Sequence, residues 1–81
     1  MTRDAIHAAL IEILSDIVDD VDWGAFQLTD DLKGKLESMD FLDVIMELRK
    51  KYGVEVPEAD YGNFATMQGC IDYLEPRLKN F

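Results

Sequence analysis

Apolar residues recur three and four positions apart near the start of the chain, where Ile6, Leu10, Ile13, Leu14 and Ile17 fall on one helical face between Thr2 and Val18. That spacing predicts a first amphipathic helix. The pattern then gives way to an acidic stretch, 19–37, in which Trp23, Phe26, Leu28, Leu32 and Leu36 stand apart as single apolar anchors. A connection this long inside a small domain is expected to pin itself across a core through such residues. Periodicity returns at Phe41, Ile45, Leu48 and Tyr52, predicting a second helix from about Ser38 to Tyr52. Gly53 offers the left-handed residue that ends helices, and Val54 is expected to pack back on Leu48. Arg49, Lys50 and Lys51 fall in the last turn, where cations complement the helix dipole.

After Pro57 the segment PEADYGNFA predicts one short helical turn, interrupted by Gly62. Thr66 is the expected N-cap of a last helix from Met67 to Leu74 or Glu75, with Met67, Cys70, Ile71 and Leu74 inward. Pro76 disfavours helical geometry at Glu75 and should end or kink it. No alternating run exceeds VEV. The expected fold is therefore all-α, a small four-helix bundle of three main helices plus a short third one, with a long loop between the first two helices. Residues 1–81 are expected to form a single domain.

Composition narrows what such a bundle does. A chain of 81 residues buries only about 60% of the surface its unfolded form exposes, which leaves little room for a large internal active site. Acids outnumber bases 17 to 8, and a net charge of −9 repels phosphate backbones and anionic membrane surfaces. Nucleic acid is excluded as the expected partner, and basic protein faces are favoured. No apolar stretch approaches membrane-spanning length and no secretory leader is evident, so a cytoplasmic protein is expected. Cys70 lies in an apolar context and reads as core filler.

Three chemistries fail on spacing. DDVDWGAFQLTDD has acids at some positions of a calcium loop, but Gly24 and Ala25 occupy places where a ligand and the turn glycine belong. The only histidine, His7, has no local partner for nucleophilic catalysis, and one histidine with one cysteine cannot build a zinc site. No metal and no catalytic residue is expected. The protein is not read as an enzyme.

Ser38, in LESMDFLDVI, has a simple structural role available, because serine at the start of an amphipathic run caps free backbone N–H groups. Phe41 stands where a capping-box glutamate would reach back. The residues beyond Ser38 carry more information. LESMDFLDVIMELRKKYGVEVP resembles the acyl carrier protein pattern D-S-L-D…ELV…LE…F…IP, and ATMQGCIDYL resembles that family's T-T-V-Q-A-A-I-D-Y-I. The similarity covers residues 30 to 75 in one register, and the first helix fits by length and pattern.

The resemblance implies that Ser38 bears 4′-phosphopantetheine, drawn from coenzyme A, and carries acyl intermediates as thioesters to enzymes of fatty acid or polyketide biosynthesis. The implied partners are a phosphopantetheinyl transferase, an acyl-loading enzyme, and synthases or acyltransferases, engaged by a monomer. Met39, Asp40, Asp43, Met46 and Glu47 match the docking positions. Leu48, Val56, Tyr61, Phe64, Cys70 and Tyr73 match positions that line an acyl cavity between the second, third and last helices. Tyr61 and Phe64 replace smaller residues, so a narrower cavity for short or polar cargo is expected.

The chain also departs from the pattern. DDLKGKLES has two more residues between Leu32 and Ser38 than common members, Glu37 replaces aspartate, and Met39 replaces leucine. A phosphodiester on Ser38 would be opposed by Glu37 and Asp40 and offset by Lys33 and Lys35. The acidic start and basic end of the second helix suggest partners of mixed charge. Two alternatives stay open: an aminoacyl or peptidyl carrier, D-alanyl-like in its S-M pair, and an unmodified acidic helical interaction module.

Overall fold

In the computed structural model, which describes residues 1–81, Thr2 opens the first helix by accepting the Ala5 N–H at 3.1 Å. Helix α1 (Arg3–Ile17) buries Ile6, Leu10, Ile13 and Leu14, while Ile17 is half-buried. Removing each such side chain from water contributes about 1.5–3 kcal/mol. Arg3 ties this helix to the last one through Asp72 at 2.7 Å and Glu75 at 3.1 Å, bonds that raise its pKa.

The connection after α1 is partly anchored as its apolar residues predict. Trp23 is buried and donates Nε1–H to the Val18 carbonyl at 2.8 Å, and Phe26 lies 5.2 Å from its ring. Leu28 differs from expectation: its side chain is 40% exposed, and it is the backbone carbonyl that anchors, accepting Gln68 N–H at 3.0 Å. The loop also contains a helical turn that periodicity did not reveal, α2 (Leu32–Lys35). Asp31 caps it by accepting Gly34 N–H at 2.9 Å, and buried Leu32 holds it to the core. Leu32 and Lys33 donate their N–H groups to the Ala65 carbonyl at 2.9 and 3.3 Å, stitching the approach to Ser38 onto the start of the last helix.

Helix α3 (Ser38–Tyr52) spans the range its sequence predicts and buries Phe41, Val44, Ile45 and Leu48. Gly53 ends it with φ +68°, a conformation that costs an L-residue with a side chain about 1–2 kcal/mol. Gly53 N–H reaches the Arg49 carbonyl at 2.9 Å, and Val54 N–H folds back to Leu48 at 3.4 Å.

A 3-10 helix, Glu58–Phe64, comes next and runs through Gly62 without a break. Helix α4 (Met67–Arg77) starts at Thr66, whose Oγ1 accepts Gly69 N–H at 3.0 Å. It continues past Glu75 and includes Pro76. Proline in the final turn removes a single backbone bond, and Leu78 N–H still closes on the Leu74 carbonyl at 2.8 Å. The architecture is all-helical, with α1 packed on α3 and α4, and α4 on the 3-10 helix. Its 19 buried residues are all apolar, so no buried charge is available for chemistry inside the bundle.

Candidate functional site

Glu37, with φ −75° and ψ 163°, is the last extended residue before α3 and holds the cap position. Its carbonyl accepts Phe41 N–H at 2.9 Å, and its own N–H reaches Asp40 Oδ2 at 3.4 Å. This corrects the capping role expected of Ser38. The helix begins one residue earlier in register, so Asp40, and not Phe41, stands three residues past the cap. Ser38 is the first helical residue, exposed, and its hydroxyl has no hydrogen bond within the protein. First-turn amides lack intrahelical partners and carry the positive end of the helix dipole, so an anionic ester on this oxygen fits the location.

Beside Ser38 lies an open hollow of about 330 Å³ formed by Leu36, Phe41, Leu42 and Tyr61, with Lys33 and Glu37 on its rim. Lys33 Nζ stands 5.3 Å above the Phe41 ring, which holds its charge on the Ser38 side. Lys35 points elsewhere, to a hollow with Asp22, Asp30 and Asp31. Of the two lysines expected to offset Glu37 and Asp40, Lys33 is the one beside the serine.

The five positions expected to dock partners separate in space. Asp40, Asp43, Met46 and Glu47 share a shallow groove of about 370 Å³ with Asp16 and Ile17 of α1 and with Lys50. Asp16 extends the acidic face from a helix that α3 periodicity does not reach. Met39 is 76% exposed and stands apart from that groove. The basic end divides as well: Lys50 joins the acidic groove, whereas Arg49 turns toward Glu55 at 3.6 Å on the opposite flank.

Of the six positions matched to an acyl cavity, Leu48, Val56, Phe64, Cys70 and Tyr73 belong to the buried core and Tyr61 is half-buried. Phe64 lies 5.3 Å from the Tyr73 ring and 6.1 Å from Phe41. Tyr73 donates its hydroxyl to Asp60 Oδ2 at 2.7 Å and has Arg77 over its ring at 3.6 Å. Burial and the Asp60 bond raise its pKa. Burial pushes the Cys70 thiol up to about 12. Tyr61 borders the hollow beside Ser38, and Val56 and Tyr61 border a second of about 500 Å³ with Ile45, Met46 and Pro57.

No protein-family model matches the chain. An acyl carrier protein of Chloroherpeton thalassium is 29% identical over 83 residues, spanning 98% of this chain and 100% of that protein. An acyl carrier protein of Thermotoga maritima is 33% identical over 52 residues, 64% of this chain and 62% of that one. The chain is similar to acyl carrier proteins, to the first of them along nearly its whole length. Against the acyl carrier pattern, the longer approach to Ser38 has a structural explanation: the added residues of DDLKGKLES are taken up by the α2 turn, which keeps Leu32 in the core. No helix is long and apolar enough to cross a membrane.

Proposed function

We propose that this protein carries acyl groups as thioesters on a 4′-phosphopantetheine arm joined to Ser38. The observation that carries the reading is the uncommitted, exposed Ser38 hydroxyl at the first turn of a 15-residue helix. The Ser38 oxygen would form the new phosphoester bond as the nucleotide part of coenzyme A leaves, with the hydroxyl proton passing to the transferase. The arm supplies the reactive thiol, and this chain supplies position, charge and recognition. Lys33 offsets the carboxylates of Glu37 and Asp40 next to the ester.

Such a protein is a substrate of other enzymes and not itself a catalyst. Its partners are a phosphopantetheinyl transferase, a loading enzyme, and synthases or acyltransferases. The groove of Asp16, Asp40, Asp43 and Glu47 favours a basic partner face, and Lys50 at its end favours one that also carries an acid. The deciding experiment incubates wild type and Ser38→Ala with coenzyme A, Mg²⁺ and a promiscuous transferase. Wild type gains one phosphopantetheine by intact mass and the variant none; equal gain on both, or none on wild type, defeats the reading.

A further inference from the structure

The added turn before Ser38 is not slack, because its backbone is tied down on both sides of one cation. Lys33 N–H and its neighbour Leu32 N–H share the Ala65 carbonyl, at 3.3 and 2.9 Å. On the other side Asp31 holds Gly34 N–H at 2.9 Å, and a Cβ on Gly34 would run into that carboxylate. From this platform the exposed Lys33 side chain reaches over α3, with Nζ 5.3 Å from the centre of the Phe41 ring. Phe41 stands three residues from Ser38, about 4.5 Å along the axis and on the same face. The ammonium group and the Ser38 hydroxyl therefore border one hollow, and Lys33 is the single cation among the residues that line it. The ion pairs of the chain engage Arg3 and Arg49, which leaves Lys33 with an aromatic face as its partner. That hold is weak at an exposed site, and a phosphate group nearby displaces it.

We infer that Lys33 is a cation the chain itself contributes to its own modification: it leaves the Phe41 ring and pairs with the phosphoryl group passing from coenzyme A to Ser38. This rests on Ser38 as the attachment point. In the transfer, Ser38 Oγ bonds to the phosphorus that bears the pantetheine, the pyrophosphate P–O bond breaks, and adenosine 3′,5′-bisphosphate leaves with the electron pair. The hydroxyl proton passes to the transferase. Charge on the equatorial oxygens of that phosphorus would otherwise face Glu37 and Asp40 alone, and Lys33 offsets it from the α2 side. The phosphodiester that remains keeps a negative charge, so the pair persists in the modified protein. Lys35 points to Asp22, Asp30 and Asp31 and takes no part.

The test is single-turnover transfer from coenzyme A by a promiscuous transferase, followed by intact mass, for wild type, Lys33→Gln, Lys33→Arg and Lys35→Gln. Lys33→Gln slows the step about tenfold while the half-saturating transferase concentration stays within about twofold, because the interaction belongs to the transition state and not to docking. Lys33→Arg recovers most of the rate, and Lys35→Gln matches wild type. By NMR, the Lys33 ε-methylene protons, shielded by the Phe41 ring, move downfield on modification, and the phosphorus resonance of the arm shifts in Lys33→Gln but not in Lys35→Gln. An unchanged rate in Lys33→Gln, a loss confined to the half-saturating concentration, equal losses in the two glutamine variants, or Lys33 protons unmoved by modification each overturn the role of Lys33 and leave Ser38 as the attachment point. No mass gain on wild type defeats the Ser38 reading, and this inference with it.

Discussion

Helices α3 and α4 both begin near a hydroxyl side chain, and they use it in opposite ways. Thr66 spends its oxygen on Gly69 N–H at 3.0 Å, while the hydroxyl of Ser38 is left without an internal partner because Glu37 takes the cap position. A shift of one residue separates a structural oxygen from an available one. The surroundings divide in the same way. The start of α4 is crowded, with the Asn63 carbonyl close against Gly69, whereas the start of α3 faces an open hollow with one cation on its rim.

The widest contrast comes from Ser38→Ala, expected to abolish modification while changing unfolding free energy by no more than about 0.5 kcal/mol. A loss of stability comparable to that of a cap mutant would show that the hydroxyl is structural after all. Gly69→Ala strikes the crowded start: its Cβ would run into the Asn63 carbonyl and crowd Thr66 Oγ1 at 3.3 Å. Urea denaturation should show a loss of about 3 kcal/mol, at the upper end for overpacking because a backbone atom must yield.

Alkali sharpens the comparison by titration. Cys70 and Tyr73, both on α4, have folded pKa values raised by burial, so their contribution is complete below the unfolded values and is lost as pH rises. For Cys70 the window runs from its usual 9.0 to about 12. Stability measured across it should fall by up to about 1.4 kcal/mol per pH unit for that thiol, and Cys70→Ala should flatten that part of the slope. The smallest effect is Thr66→Ala, costing about 1 kcal/mol by the same urea assay. Equal costs for Thr66→Ala and Ser38→Ala would erase the distinction between the two helix starts.

Much of the fold is legible in the sequence. The faces of α1 and α3 announce themselves over fifteen residues each, and Gly53 ends α3 where its sequence predicts. What escapes is shorter or tertiary. Four residues of α2 carry no period to detect, and Asp31 and Leu32 reveal themselves only through bonds to Gly34 and Ala65. Ser38 is visible as a special position, but its cap role is misassigned from sequence because Glu37 is a less common cap than serine. Val44 lies off the stripe read from sequence yet is buried, and Asp16 joins the acidic groove only because α1 lies beside α3. The hollow between Ser38 and Tyr61 is built from residues as far apart as Lys33 and Tyr61, a relation that no local pattern encodes.

Under the proposed function, buried Cys70 has one more consequence. A thiolate on the carrier's own surface would attack a nearby thioester and draw the acyl group off its arm onto the chain. With its thiol 1% exposed and its pKa pushed up to about 12, the polypeptide would be inert toward a thioester on its own arm, and acyl exchange would be left to the enzymes of the proposed cycle.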